Sequence, residues 1–172
     1  IPELGDYDLA YRFTLDGGAH WVYCDRGVGS TNGYTADQAG HVSVVPAALP
    51  DYCRYQFPFP HEGQPGEQLD VFGVLYVEGV TDRSPQFDEQ MGIVAEAGYG
   101  PWGSLPDGNR EWTWVAGAGN PAWDGVARNE PNNDEYMARI TLPTTGPYAM
   151  AFRFSVDDGR NWLYCDTGPG ST

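Results

Sequence analysis

Basic residues are scarce in this chain. Nine lysines and arginines face 24 aspartates and glutamates, for a net charge of −15. An acidic surface repels phosphate backbones and argues against a nucleic-acid partner. It suits an extracellular protein, a salt-adapted one, or one that binds divalent cations. No apolar run approaches the roughly 18 residues a membrane span needs, so no membrane insertion is expected. No amphipathic stretch is longer than about two helical turns. The three histidines, His20, His41 and His61, are scattered, with no His-x-x-x-His spacing for a metal. There is no Gly-x-Ser-x-Gly and no Cys–His pairing. Carboxylates abound, but a pair of them means nothing without geometry. The chain therefore reads as non-catalytic. It also lacks an Asn-x-Ser/Thr acceptor.

What the chain has is glycine (23), proline (14) and aromatics (14%). Alternating apolar runs between Gly/Pro clusters predict an all-β fold rather than disorder. At 172 residues there is room for one domain, or one and a fraction. An internal repeat decides between these. Gly5 to Asp25 (GDYDLAYRFTLDGGAHWVYCD) matches Gly146 to Asp166 (GPYAMAFRFSVDDGRNWLYCD) at an offset of 165 − 24 = 141 positions. The offset also relates Trp21 to Trp162, and the Gly-Ser-Thr triplets at 29–31 and 170–172. A period of domain size means an array of whole domains, not a solenoid of small units. We therefore expect residues 1–46 to be the C-terminal part of one module, 47–52 a linker, and 53–172 a second module lacking its last strand. Ile1 falls inside a module, which predicts an N-terminus further upstream.

In order, strands are expected at Tyr7–Thr14, Trp21–Cys24, His41–Val45, Cys53–Phe59, Leu69–Val80, Met91–Tyr99, Glu111–Ala116 and Glu135–Leu142, then in the repeated hairpin. Trp112 and Trp114 alternate on one face and read as core. A long loop is expected over 117–134. Short strands between turn clusters predict an Ig-like sandwich of two antiparallel sheets. The missing last strand would leave an unpaired edge, open to strand exchange between copies.

Three cysteines are an odd number. Cys53 starts the second module and Cys165 ends it, so a disulfide between them would staple first strand to last hairpin. Cys24 is the counterpart of Cys165 and would pair with a cysteine outside this module. Three free buried thiols are the alternative. Disulfides imply an oxidising compartment, hence an extracellular or cell-surface location.

The hairpins carry a motif. Thr14-x-Asp16-x-Gly18-x-His20-Trp21 and Ser155-x-Asp157-x-Gly159-x-Asn161-Trp162 both resemble the Asp-box, with His20 and Asn161 where the motif has Thr. The Asp would accept turn N–H groups, the Gly would supply the unusual backbone angle, and the Trp would fold over the turn. Asp-boxes are structural rather than catalytic; a sugar-stacking role for Trp21 and Trp162 is the alternative. More widely, VLYVEGVTD (Val74–Asp82), AGYGPWGS (Ala97–Ser104), WTWV (Trp112–Val115), NNDEYMARITLP (Asn132–Pro143) and the closing hairpin together resemble a module found in tandem in large secreted or surface proteins of myxobacteria-like Gram-negative bacteria. The resemblance implies fold, tandem arrangement and extracellular location, and carries no activity with it. The closing hairpin is also similar to the FxxDG…W segment of starch-binding modules, at the level of fold.

Two ligand classes remain. Trp102 and Trp123 fall in expected loops beside Asp107, Asn109, Arg110, Asp124 and Asn129, a composition suited to a polysaccharide; packing or module–module contact is the alternative. Asp124, Asn132 and Asp134, with Asn129, Glu130, Asn133 and Glu135, place oxygen ligands close together for calcium, but no EF-hand ladder is present. The sequence thus reads first as a structural module of a fibre, stalk or adhesin-like array, contacting neighbouring copies head to tail. The second reading is a carbohydrate-binding module attached to a secreted enzyme.

Overall fold

A computed structural model describes residues 4–28, 33–44 and 47–167. The chain divides into two compact units, Ile1–Ala47 and Ala48–Thr172. The second is an all-β sandwich. Its strands are β5 (Tyr52–Phe57), β6 (Gln68–Tyr76), β7 (Val94–Pro101), β8 (Thr113–Ala116), β9 (Ala118–Gly119), β10 (Asp134–Thr141), β11 (Tyr148–Ser155) and β12 (Leu163–Cys165). One antiparallel sheet has the order β5-β6-β10-β9 and the other β12-β11-β7-β8. Lettered A to G in chain order, with β8 as C′, these are sheets A-B-E-D and G-F-C-C′, the immunoglobulin-like arrangement.

Alternation explains the layers. Tyr136, Ala138 and Ile140 of β10 point inward with Leu69, Val71 and Leu75 of β6, and meet Phe152, Phe154, Ala95 and Ala97 of the other sheet. The ring of Phe152 lies where a Cβ on Gly73 would stand, 2.5 Å from it, so β6 needs glycine there. Outward residues pair across strands: Arg139 makes two hydrogen bonds to Asp70, at 2.6 and 2.8 Å. Cys53 and Cys165 form the disulfide, with Cα atoms 5.5 Å apart, tying β5 to β12. Cys24 is a free cysteine.

The first unit holds β1 (Gly5–Leu9), β2 (Tyr11–Phe13), β3 (Val22–Cys24), a 3-10 turn at Ala36–Gln38, and β4 (Gly40–Val44). β1 pairs with β4 and β2 with β3. The single strand expected over Tyr7–Thr14 is thus broken at Ala10.

Other boundaries also differ from expectation. β6 stops at Tyr76 because Val80 and Thr81 both turn their N–H groups back to the Val77 carbonyl. β7 starts at Val94 because Gly92 turns at φ +87°. The stretch 117–134 is no featureless loop: it contains β9 and a one-turn helix α1 (Gly125–Arg128), whose N-terminus is capped by the Asp124 carboxylate on Ala127 N–H. Val45 and both Gly-Ser-Thr triplets lie outside the described residues.

Candidate functional site

The two hairpins are built alike. β2 and β3 pair Tyr11 with Cys24, Arg12 with Tyr23 and Phe13 with Val22. β11 and β12 pair Phe152 with Cys165, Arg153 with Tyr164 and Phe154 with Leu163. Thr14 Oγ1 donates to Asp16 Oδ1 (2.8 Å) and accepts from Gly18 N–H (2.9 Å); Ser155 Oγ does the same with Asp157 (2.7 Å) and Gly159 (2.8 Å). The residues before the tryptophans, His20 and Asn161, each donate from the backbone to Oδ1 and set a side-chain nitrogen against Oδ2. These replacements therefore keep a donor where the Asp-box has threonine. Those contacts hold both carboxyls down at about 2, through the His20 and Thr14 bonds on Asp16 and the Asn161 and Ser155 bonds on Asp157. Trp21 and Trp162 lie over Gly18 and Gly159. Arg12 caps Trp21 and Arg153 caps Trp162, each 4.1 Å from the ring centre. Both tryptophan rings are thus turned to a turn glycine and an arginine of their own hairpin.

The twins differ in cover. Phe152 and Phe154 are 0% exposed, whereas Tyr11 and Phe13, their counterparts, are 79% and 62% exposed.

Arg153 also lies over Trp114, 4.1 Å from its centre, and is bonded to Glu96. Trp112 and Trp114 stack on each other above Gly100 and Gly98, whose absent side chains leave the troughs for the indoles. The two tryptophans are packed as expected, but on the outer face of the sheet, since Trp114 pairs with Gly98 while Val115 pairs with core Ala97.

A groove of about 530 Å³ opens at the far end of this sheet. Its walls are the His61–Pro65 turn, the Leu142–Pro147 corner, Tyr148, Met150 and Trp102. The turn is clamped to the end of β10 by Gly66 N–H on Leu142 O (2.9 Å) and Leu142 N–H on Glu67 O (2.8 Å). Trp102 is 69% exposed at the tip of a turn closed by Ser104 N–H on Pro101 O (3.0 Å).

Of the residues singled out for a ligand, only Trp102 lines this groove. Trp123 is no exposed platform: it is 3% exposed and its indole N–H donates to Asn133 O at 2.5 Å. Asp107 and Arg110 are exposed in the loop before β8 and do not line the groove. His61, Glu62, Gln64 and Tyr148, which do, were not singled out in the sequence, because strands far apart in sequence bring them together.

Among curated proteins, the chain is similar to an amylopullulanase of Thermoanaerobacter thermohydrosulfuricus. They are 26% identical over 119 residues, which is 60% of this chain and 7% of that enzyme. The chain therefore spans a small part of the relative's length. No protein-family model matches. No solved structure matches either.

The residues considered for calcium have other partners. Asp124 caps α1, and the Asn132 carbonyl accepts from Thr81 Oγ1 (2.9 Å). Among the described residues no three His, Cys, Asp or Glu side chains come close enough to share an ion. Asp134 is fully buried; Oδ1 accepts from Asp88 N–H at 3.1 Å and Oδ2 has no partner. Burial pushes its carboxyl up to about 7. The folded form thus holds the proton over a range where the unfolded chain has released it. Stability from this group is greatest below pH ~4 and falls as pH rises towards 7. Asp134→Asn is therefore expected to stabilise the protein by about 2 kcal/mol at pH 8 and to have little effect near pH 4. Urea unfolding at both pH values measures it; an equal change at both would refute the account.

Proposed function

We propose that this chain is a non-catalytic β-sandwich module of an extracellular multidomain protein, repeated in tandem and serving as a stiff structural unit. The observation that carries the reading is the pair of hairpins. They share register, hydrogen bonds and Arg-on-Trp contact, yet one buries its aromatic face and the other exposes it. Residues 1–47 are then the closing part of a module like the second, whose other strands belong to the same tandem polypeptide. Cys24 pairs there with the counterpart of Cys53. The disulfide in the second unit is consistent with an oxidising compartment. No helix among the described residues is long and apolar enough to cross a membrane.

The test is the mass of native material on a denaturing gel with and without reductant. A large band in both lanes is expected. A chain near 18.9 kDa in both lanes, with Cys24 still a thiol, would defeat the tandem reading.

The amylopullulanase similarity favours a second reading, that the groove beside Trp102 binds an α-glucan for a carbohydrate-active enzyme. An exposed indole beside polar side chains is the composition such a site uses. This reading expects retention on insoluble starch to fall at least tenfold on Trp102→Ala and to be unchanged on Trp123→Phe. No retention of the parent chain on a polysaccharide panel would dismiss it.

A further inference from the structure

In the first unit β3 pairs with β2 and β4 with β1, and Arg26 N–H on Gln38 O (2.9 Å) closes the loop between them, bringing the end of β3 at Tyr11 and the start of β4 at Leu9 together. β3 covers Tyr11–Phe13, the chain loops out, and β4 covers Gly5–Leu9, with Gly5 opposite Val44, Tyr7 opposite Val42 and Leu9 opposite Gly40. Together they are one G strand interrupted by a loop. Among the described residues, the second unit shows only the first half of that strand. β12 covers Phe152–Phe154, and β7 covers the opposite edge of β11 along its whole length. Among the described residues, no strand pairs with Gly146–Met150 on the β12 side.

That free edge is shaped like its occupied twin. Gly146 has φ +152°, and Gly5, paired with Val44, has φ +144°. Side chains opposite each other in an antiparallel pair lie on the same face. A strand placed like β4 would therefore set its residue 44 beside Gly146, residue 42 beside Tyr148 and residue 40 beside Met150. These are three of the residues lining the groove. In Gly40-His41-Val42-Ser43-Val44 those positions are Gly, Val and Val. The valines would fill the groove, and His41 and Ser43 would face solvent. Glycine suits the place opposite a large residue: a Cβ at Gly40 would sit 3.3 Å from the Leu9 backbone and Cβ. The groove is thus a gap in the sandwich with the shape and polarity of one strand.

We infer that Gly146–Met150 is an acceptor edge for a β-strand of the Gly40–Val44 type, whose two valines fill the groove beside Trp102. This is strand addition, with backbone hydrogen bonds giving affinity and alternate side chains giving selectivity. It deepens the tandem reading, since the strand it takes is one the module itself carries.

The test is register-specific cross-linking on the full chain. A Cys24→Ser, Ala149→Cys chain is mixed under mild oxidation with peptides of residues 36–44 carrying cysteine at position 41 or at position 42. The position-41 peptide lies opposite Ala149 and is expected to cross-link at least tenfold faster. Val42→Asp or Val44→Asp in that peptide is expected to abolish the reaction. As a check independent of any substitution in the chain, the unlabelled peptide should slow hydrogen exchange among the amides of Gly146, Tyr148, Ala149 and Met150 in the wild-type protein; Pro147 has no N–H. Equal cross-linking at both positions, indifference to the aspartates, or no added protection would overturn the inference. A large reductant-resistant polypeptide combined with no peptide docking would sink this inference and leave the tandem reading standing.

Discussion

Phe154→Ala is expected to cost about 3–5 kcal/mol, while Phe13→Ala, at the equivalent place in the other hairpin, is expected to stay within about 0.5 kcal/mol. Phe154 is fully buried. Its ring packs on Phe152 at 5.4 Å and edge-on against Tyr136 at 5.2 Å, so it bridges the two sheets. Truncation removes the transfer term and leaves a cavity between strands that the sheet hydrogen bonds hold apart. Phe13 is mostly solvated in this chain and has little to lose. Urea unfolding followed by near-ultraviolet circular dichroism measures both. Equal costs would mean that the first hairpin buries its aromatic face within these 172 residues, which would remove the main support for the tandem proposal. If the proposal is right, Phe13→Ala becomes as costly as Phe154→Ala once the chain is placed in its native polypeptide. The asymmetry thus reports on assembly as well as on packing.

The hairpins and the disulfide were legible in the sequence because what specifies them is local or repeated. Alternation over Tyr148–Ser155, a turn set by Ser155, Asp157 and Gly159, and a matching stretch at a constant offset give strand, turn and partner with no knowledge of the rest. Cys165 could be joined to Cys53 because the repeat leaves Cys24 without a mate. What did not read out depends on neighbours far along the chain. Trp112 and Trp114 share a face by period two, but the pattern cannot say which face. Gly98 and Gly100 on β7 decide it, and a Gly-x-Gly strand beside a Trp-x-Trp strand is the signal that could have shown it. Trp123 looked like a loop residue because its loop is rich in Gly, Asn and Pro. It is buried because Trp123 N–H bonds back to Asn120 O, α1 follows at once, and Asn133 O accepts its indole. The groove was invisible in the sequence because its walls come from the β5–β6 turn, the end of β7 and the β10–β11 corner. Only the fold brings these together.

Removing the disulfide is expected to weaken the second unit almost as much as truncating its core. The bridge closes a loop of 112 residues, for which the chain-entropy model gives about 4–5 kcal/mol; measured losses run about 2–5 kcal/mol. Its placement explains why the loss should be large. β5 and β12 are the outer strands of different sheets, so no ladder pairs them. Tyr55 N–H on Asp166 O, at 2.8 Å, is a backbone hydrogen bond from β5 to the residue that follows β12. Both cysteines are buried, so Cys53→Ala with Cys165→Ala breaks the bridge without burying new polar groups. The double variant should unfold at lower urea, and hydrogen exchange should show the extra opening first at β12 and at the N-terminal half of β5. A loss under about 1 kcal/mol would mean that sheet packing alone holds this edge closed. The same edge carries the free stretch Gly146–Met150, so the bridge also bears on strand addition. By tying β12 to β5 it fixes the half-strand that an incoming strand would continue, so that strand meets an ordered edge instead of a fraying one. The reduced or double-alanine chain should therefore bind the Gly40–Val44 peptide more weakly than the oxidised chain, even at temperatures where both remain folded.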